Sequence, residues 1–176
     1  KEYGDPLDRR FHAEPNACPA CGPRLSVRGD DGAPVETDDP IGTVTRAIRA
    51  GSIVAVRGLG GFQLAVDATN DAAVRTLRER KRREEKPFAV MFRDVDSVRA
   101  AARIEAADEA ILLSPRAPVL LVAARARSPL APSVSAGLPT AGVFLPYTPL
   151  HRMLLDRVDR PLVVTSGNAT DEPIAI

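Results

Sequence analysis

The sequence is poor in residues on which many enzyme and secreted-protein functions depend. Its 176 residues include no tryptophan, two cysteines and two histidines, and aromatic residues make up only 4%. Two cysteines are too few for a disulfide framework. Two histidines without clustered carboxylates disfavour a histidine-based hydrolase or a catalytic metal centre. With so few aromatic side chains, the core must consist of Val, Leu, Ile and Ala.

Long apolar segments and a strong net charge are also missing. Apolar runs such as residues 119–124 are far shorter than the ~18 residues of a membrane span. The first residues contain no apolar signal core, so we expect a cytoplasmic setting and no membrane association. A net charge of +1 argues against a protein that coats nucleic acid.

The composition divides the chain into three parts. Residues 1–28 are rich in turn formers and charge, residues 29–39 form a polar linker, and residues 40–176 alternate helix and strand signals. Several strands are joined by connections too short for a helical crossover, so the sheet should be mixed. We therefore predict an α/β (or α+β) domain, in which helices flank a twisted mixed sheet, preceded by a small knuckle.

Periodicity and capping residues place the elements of this domain. Asn70 and Thr148 are each followed by a helical pattern that they are suited to cap. Helices are predicted over residues 40–50, 71–82, 95–102, 106–113 and 149–155. Strands are predicted over residues 53–56, 62–66, 88–92, 118–123, 143–145 and 161–165.

A glycine-rich loop, residues 58–61, follows the first of these strands. Glycines permit positive φ and close approach of a ligand to the backbone. A strand and not a helix is predicted to follow, and no Gly-Lys-Ser/Thr is present, so the loop is neither a Rossmann fingerprint nor a Walker motif. A tight structural turn and a binding loop are equally good interpretations.

The segment from Arg75 to Lys86 carries seven positive and three negative residues. It lies where a helix gives way to a strand, so Lys81, Arg83 and Lys86 can turn toward one point. Clustered cations of this kind suit a polyphosphate. The alternative interpretation is that these charged residues form an ordinary solvent-exposed helix face.

A second candidate is Thr165-Ser166-Gly167-Asn168, at the end of the last predicted strand. Small hydroxyl and amide side chains at the edge of a sheet are common ligand contacts. An ordinary turn is the alternative. Gly-x-Ser-x-Gly is absent, which removes support for a hydrolase nucleophile elbow. His151, on the helix after Thr148, is expected on the helix surface or in the core.

Cys18 and Cys21 have the spacing of a zinc knuckle, and the following Gly22-Pro23 argues against a redox helix. A structural zinc site needs four ligands, so two more must come from elsewhere. His12 is near in sequence, although packing within the knuckle is the better interpretation of it.

Taken together, these segments resemble the HypF carbamoyltransferases of [NiFe]-hydrogenase maturation. The beginning is similar to the last half of the family's zinc-finger region, and the remainder to its YrdC-like domain. The resemblance is carried by residues 5–23, 58–62, 67–70, 80–91, 145–151 and 165–173. Further cysteine pairs and a transferase domain of the family are absent, so we expect a piece of a larger protein.

The resemblance implies that this domain joins carbamate to ATP, giving carbamoyl-adenylate and pyrophosphate, with magnesium as the metal. It implies that the larger enzyme obtains carbamate from carbamoyl phosphate and passes the carbamoyl group to a HypE-like acceptor protein. The family's Lys-x-Arg and Ser-x-Asn motifs fall on Lys81, Arg83, Ser166 and Asn168, and Lys86 matches its following lysine.

Roles follow from this resemblance residue by residue. Lys81 and Arg83 are implied to be catalytic. Nucleotide and phosphates are implied to contact Lys81, Arg83, Lys86, Ser166 and Asn168. The acyl group is implied to pack against Gly60, Gly61 and Phe62, and Cys18 and Cys21 to be half of a structural zinc site. Arg57 and Gln63 stand where the family often has Lys and His, and neither is assigned a role.

Two other functions are compatible with the sequence. One is the related threonylcarbamoyl-adenylate synthase of tRNA modification, with the same fold and chemistry but a different acyl group. The zinc knuckle argues against it. The other is a module that binds double-stranded RNA through the Arg75–Lys86 surface, which the lack of interleaved aromatics disfavours. Strongly salt-dependent RNA binding would distinguish it from saturable ATP binding.

Overall fold

The computed structural model describes residues 4–7, 22–83, 85–168 and 173–176. The chain separates into two compact units, Lys1–Pro40 and Ile41–Ile176. His12, Cys18 and Cys21 lie outside the described residues, so the predicted knuckle and its metal ligands stay predictions. None of the helices in the described residues is long and apolar enough to cross a membrane.

The described part of the first unit contains a short hairpin. Strand β1 (Val27–Arg28) pairs antiparallel with β2 (Pro34–Val35). The turn between them is held by the Asp31 carboxylate, which accepts a hydrogen bond from the Ala33 N–H at 2.9 Å. Gly32 has a φ of +79°, which suits glycine at this turn. Residues 29–39, interpreted from composition as a polar linker, thus contribute the turn and one strand of a hairpin.

The second unit alternates helices and strands. Its helices are α1 (Pro40–Arg49), α2 (Asp71–Lys81), α3 (Val95–Ala101), α4 (Ala106–Leu112) and α5 (Pro149–Val158), with a 3-10 helix at Pro132–Val134. Its strands are β3 (Val54–Gly58), β4 (Gly61–Asp67), β5 (Ala89–Met91), β6 (Ala102–Arg103), β7 (Leu120–Ala124), β8 (Thr140–Phe144) and β9 (Leu162–Ser166).

The predicted caps of α2 and α5 are confirmed. The Asn70 side chain accepts from the Ala73 N–H at 3.2 Å, and the Thr148 hydroxyl accepts from the His151 N–H at 3.2 Å. Each bond satisfies one of the backbone donors that a helix leaves free at its beginning. These caps fix where α2 and α5 start, and therefore which of their side chains reach the sheet.

The seven strands form one sheet in the order β3-β4-β9-β5-β8-β7-β6. Only the β5–β8 pair is parallel; the remaining neighbours run antiparallel. The predicted α/β fold with a mixed sheet is confirmed. Strand β6 was not predicted, because two residues between two helices carry no readable period.

Alternate residues of the central strands fill two core clusters, one on each face of the sheet. One cluster contains Val66, Val90, Val143 and Val163 and packs with α2 and α3. The other contains Ala65, Met91, Phe144 and Leu162 and packs with α1 and α5. Both are mainly aliphatic, as composition required. We call the face of the sheet that carries the second cluster the α5 face. Strand ends on this face form the candidate site.

Candidate functional site

The end of α2 sets the direction of its basic side chains. Arg82, the C-cap, has a left-handed backbone (φ 50°), and its N–H reaches back to the carbonyls of Arg78 and Glu79. The Arg83 N–H then donates to the Arg78 carbonyl at 3.0 Å. This closing turn stops the helix sharply. Lys81 therefore belongs to the helix, whereas Arg83 belongs to the loop that leads into β5.

Lys81 is inserted between the end of α2 and the end of β9. Its ammonium donates to the carbonyl oxygens of Ser166, at 2.6 Å, and Asn168, at 2.5 Å. The Asn168 side-chain oxygen lies 3.4 Å from the same nitrogen. The lysine is only 4% exposed. Burial lowers the pKa of Lys81, and the positive charge of Arg83 adds to this effect.

The turn at the end of β9 is closely packed. The Ser166 hydroxyl donates to the Asn168 side-chain oxygen at 2.5 Å, and the Gly167 N–H donates to the Phe62 carbonyl at 2.7 Å. A Cβ at position 167 would lie 2.8 Å from that carbonyl oxygen, so no larger residue fits without a shift. Ser166, Asn168 and Lys81 are thus brought together, as the sequence suggested.

Arg83 and Arg78 both lie over the ring of Phe88, at 4.9 Å and 4.7 Å from its centre. Arg83 also donates to the Pro87 carbonyl at 2.6 Å and to the Lys86 carbonyl at 3.1 Å. Burial lowers the pKa of the Arg83 guanidinium. The Lys86 side chain is exposed, and within the described residues it carries no hydrogen bond or ion pair. Lys86 thus lies at the surface, apart from the buried Lys81.

Arg78 is a positioning residue that sequence analysis missed. Its guanidinium donates to four backbone carbonyls, those of Ser133, Val134, Arg83 and Lys86, at 2.6 to 3.1 Å. It therefore ties the backbone at Arg83 and Lys86 to the 3-10 helix. The spacing could have indicated that Arg78 faces the protein. Residue 78 follows Val74 by four positions and precedes Lys81 by three, and both of these side chains are buried.

The glycine-rich loop is the tip of the β3–β4 hairpin, in which Gly58 faces Gly61. Gly61 has a φ of +128°, and a Cβ there would lie 2.5 Å from the Ala175 carbonyl oxygen. The same oxygen accepts from the Phe62 N–H at 2.7 Å. The backbone around Ala175 therefore occupies the space beside Gly61 and Phe62, which are two of the acyl-pocket candidates. Gly60 has open space around it.

The part of the α5 face on β5 and β8, called the floor below, lies beside β9, the strand that ends at Ser166. Gly142 and Ala89 are cross-strand partners there, and Leu121, the other partner of Gly142, is 65% exposed. The Val119 side chain lies 3.4 Å from where a Cβ of Gly142 would be. Small residues in the middle and exposed aliphatic residues at one side offer apolar contact surface to a flat ligand.

A row of polar side chains lies on the α5 face and includes Gln63 of β4. Gln63 donates to the Tyr147 hydroxyl at 2.6 Å, and its other amide atom lies 2.9 Å from His151 Nε2. His151 is 2% exposed, so its predicted surface-or-core position is confirmed as core. Burial lowers the pKa of His151. Tyr147 was missed as a site candidate, and Gln63 had no assigned role.

A separate cleft of about 490 Å³ lies beyond the carboxyl ends of β5 and β8. Three arginines line it, and each is ion-paired: Arg93 with Asp94 and Asp159, Arg99 with Asp96 and Glu109, and Arg152 with Asp156. The carboxylates neutralise these cations, so the cleft is a poorer anion site than the end of α2.

The described residues contain no group of three or more His, Cys, Asp or Glu able to hold a metal ion. Oxygen atoms of Ser166 and Asn168 are nevertheless present beside Lys81. A magnesium ion is commonly held by substrate phosphates with few protein ligands. The neutral oxygens of Ser166 and Asn168 fit a metal that is held mainly by the phosphates of a nucleotide.

Family models match both parts of the chain. The model of the Sua5/YciO/YrdC family, described as "Telomere recombination", matches residues 46–176, and that of the HypF finger matches residues 1–28. Carbamoyltransferase HypF of Rhodobacter capsulatus is 50% identical over 175 residues. The match covers 99% of this chain but 23% of the relative, so the chain spans about a quarter of that protein's length.

Solved structures give the same result. Full-length HypF in the phosphate- and nucleotide-bound form is 47% identical, with a TM-score of 0.88, over 99% of this chain and 22% of that one. Sua5 of P. abyssi is 20% identical, with a TM-score of 0.70, over 80% of this chain and 44% of that one. The second likeness shows the fold alone. The expected resemblance to HypF is confirmed.

Proposed function

The chain belongs to the Sua5/YciO/YrdC family, and on that premise we propose that it forms carbamoyl-adenylate from carbamate and ATP. A carbamate oxygen attacks the α-phosphorus, and the bond from that phosphorus to the bridging oxygen of pyrophosphate breaks. The products are carbamoyl-AMP and pyrophosphate. No covalent enzyme nucleophile takes part, so catalysis requires mainly positioning and stabilisation of negative charge.

The observation that carries this proposal is the position of Lys81. The ammonium of Lys81 is buried where the ends of α2 and β9 meet. Arg83 is near enough to influence the pKa of Lys81, so positive charge is concentrated at one place. A low local dielectric strengthens the attraction of such a site for phosphate oxygens. We assign Lys81 and Arg83 to the phosphates as catalytic residues, and Lys86 to an outer phosphate from its surface position.

The side chains of Ser166 and Asn168 lie where the nucleoside or the acyl group meets the α-phosphate. The floor around Ala89 and Gly142 then suits the flat base or the ribose. ATP as the ligand is supported by the nucleotide-bound form of the HypF structure that is 47% identical to this chain. Magnesium would neutralise charge on the phosphates, and oxygens of Ser166 and Asn168 would be available to hold it.

Within a HypF-like enzyme, this step lies between release of carbamate from carbamoyl phosphate and transfer of the carbamoyl group to a HypE-like acceptor. The chain's 23% share of the curated relative's length leaves those two steps to other parts of such a protein. We further propose that Cys18 and Cys21 supply half of a structural zinc site, and that the enzyme acts in the cytoplasm.

Pyrophosphate exchange tests the reaction directly. The chain is incubated with ATP, magnesium, labelled pyrophosphate and ammonium bicarbonate, in which carbamate forms spontaneously. We expect label to enter ATP only when both ammonium and bicarbonate are present. Absence of exchange together with absence of ATP binding would overturn the proposal.

Two further experiments distinguish the proposed reaction from the alternative functions. Exchange with threonine and bicarbonate, but not with ammonium bicarbonate, would indicate threonylcarbamoyl-adenylate synthesis. Binding of double-stranded RNA that weakens steeply with salt, without ATP binding, would indicate an RNA-binding module. The 50% identity to a carbamoyltransferase, against 20% to Sua5, favours the carbamate arm.

A further inference from the structure

Gln63, Tyr147 and His151 form a hydrogen-bonded row beside the end of β9. His151 Nε2 lies 2.9 Å from Gln63 Oε1, and Gln63 Nε2 donates to the Tyr147 hydroxyl oxygen at 2.6 Å. The Tyr147 and His151 rings meet edge to face, with centroids 4.6 Å apart. The row begins at an imidazole that is 2% exposed and ends at a phenol that is 43% exposed.

The direction of the hydrogen bonds follows from the other ring nitrogen, His151 Nδ1. This atom is buried and has no hydrogen-bond partner among the described residues. A proton on Nδ1 would create a buried, unpaired N–H, which is costlier and rarer than an unused lone pair. The proton of the neutral ring therefore belongs on Nε2, which donates to Gln63 Oε1.

The amide of Gln63 transmits this direction to Tyr147. Its oxygen accepts from His151, so its nitrogen must donate, and the Tyr147 oxygen is the acceptor. A phenol that accepts one hydrogen bond still has its own O–H to donate. That proton turns away from Gln63, toward the exposed side of the ring.

Tyr147 lies on the same face of the sheet as the side chain of Ser166. Gln63 and Ser166 are cross-strand partners in the antiparallel β4–β9 pair. Partners in such a pair place their side chains on the same face of the sheet. The Tyr147 hydroxyl is held by Gln63 and therefore lies on the α5 face, the face that also carries the side chain of Ser166, whose carbonyl accepts from Lys81.

We propose that the Tyr147 hydroxyl binds the acyl substrate, and that Gln63 and His151 are positioning residues that aim its proton. The ligand class is a small carboxylate. One of its oxygens attacks the α-phosphorus, and the other accepts the Tyr147 O–H. This inference rests on the proposed adenylation. It assigns the recognition of carbamate to the Tyr147 hydroxyl. Gly61 and Phe62 do not explain this recognition, because the Ala175 backbone covers them.

The first test compares substrate dependence in Tyr147→Phe and the unmodified chain, with pyrophosphate exchange as the assay. Loss of a hydrogen bond to a charged carboxylate raises the KM for carbamate by about 10- to 100-fold. The KM for ATP stays within about 2-fold, because the phosphate site around Lys81 is untouched. A general structural defect would instead change both constants or the melting temperature.

Gln63→Glu tests the direction of the row with almost no change in shape. One carboxylate oxygen still accepts from His151, but the other must accept from Tyr147, which turns the phenolic proton inward. We expect a rise in the KM for carbamate similar to that of Tyr147→Phe. The double variant should be no worse than either single one, because both remove the same hydrogen bond.

His151 supplies a matched pair. His151→Leu removes the donor at Nε2 and should reproduce the KM defect, whereas His151→Gln keeps an N–H at a similar position and should restore carbamate binding. An unmodified carbamate KM in folded Tyr147→Phe, or additive effects in the double variant, overturns this inference. Failure of the unmodified chain both to exchange pyrophosphate and to bind ATP overturns the proposed reaction instead, so the two failures are distinguishable.

Discussion

The ammonium nitrogen of Lys81 lies 2.5 Å from the carbonyl oxygen of Asn168, where helix α2 and strand β9 both end. This contact joins residues 87 positions apart in the sequence. It combines two roles in one side chain, because the same positive charge that holds the β9 turn is placed to meet phosphate oxygens.

Replacement of Lys81 should therefore affect both stability and nucleotide binding. In Lys81→Met, the carbonyls of Ser166 and Asn168 lose a charged donor, which we expect to cost about 1.5–3 kcal/mol of unfolding free energy. ATP affinity should fall at least about 10-fold. Urea denaturation and ATP titration check the two effects.

Arg80→Met is the matched control. Arg80 is exposed on the same helical turn, so its loss should change stability by less than about 0.5 kcal/mol. Unchanged ATP affinity in a stably folded Lys81→Met variant would remove Lys81 from the phosphate site. A loss of affinity without a loss of stability would show that its contacts with β9 are energetically unimportant.

Arg78 should be more important for stability than its neighbours on α2. Arg78→Lys replaces a planar group that reaches four carbonyls with a single ammonium, and we expect a loss of about 2–3 kcal/mol. Because the loop that carries Arg83 is then less firmly held, ATP affinity should also fall.

The control for this change is Arg75→Lys. Arg75 is 64% exposed and forms an i,i+4 ion pair with Asp71, an interaction worth only about 0.3–0.5 kcal/mol. Chemical denaturation of both variants gives the comparison. Equal stability of the two would contradict the assignment of Arg78 as the residue that ties the loop in place.

Two glycines of the β3–β4 hairpin should respond differently to the same substitution. Gly61→Ala places a Cβ 2.5 Å from the Ala175 carbonyl at a φ of +128°, and we expect destabilisation of about 1–3 kcal/mol. Gly60→Ala meets open space and should stay within about 0.5 kcal/mol. Midpoints of urea unfolding measure both. Tolerance of alanine at 61 would show that the segment around Ala175 does not pack there in solution.

The burial of His151 predicts a pH dependence of stability. Its pKa is lowered in the folded chain, whereas in the unfolded chain it stays near 6.5, so the unfolded chain takes up a proton first as the pH falls. Stability is therefore complete above about pH 6.5 and declines below it, by up to about 1.4 kcal/mol per pH unit.

His151→Gln should remove this component of the decline. The difference between the unmodified chain and the variant, measured by urea unfolding from pH 8 to pH 5, isolates His151 from His12. Parallel curves for the two proteins would mean that His151 is equally easy to protonate in the folded and unfolded chains, contrary to its burial.

Much of the fold was readable from local signals. Asn70 and Thr148 marked the starts of α2 and α5 because a cap requires a short polar side chain at one position. The central strands were readable because they are short, mainly apolar runs bounded by turn residues or helices. Strand β6 and the first residues of β8 were not, since their pairing depends on β7, a partner distant in sequence.

The candidate site was only partly readable. The resemblance to the family's motifs pointed to Lys81, Arg83, Ser166 and Asn168, and the structure brings Lys81, Ser166 and Asn168 together. The sequence pattern did not distinguish the buried Lys81 from the exposed Lys86, because both are lysines in one basic segment. Burial is decided by which side of α2 faces the sheet and by where the helix stops.

The amino-acid sequence by itself determined the fold class, the caps, the mainly aliphatic core and the family to which the chain belongs, because these depend on residue type and local spacing. The tertiary structure alone decided that Arg78 holds the loop, that Ala175 covers Gly61, and that Gln63, Tyr147 and His151 form one hydrogen-bonded row. These contacts join side chains from separate elements. Their direction and distance are fixed by sheet register and helix packing, which local sequence does not specify.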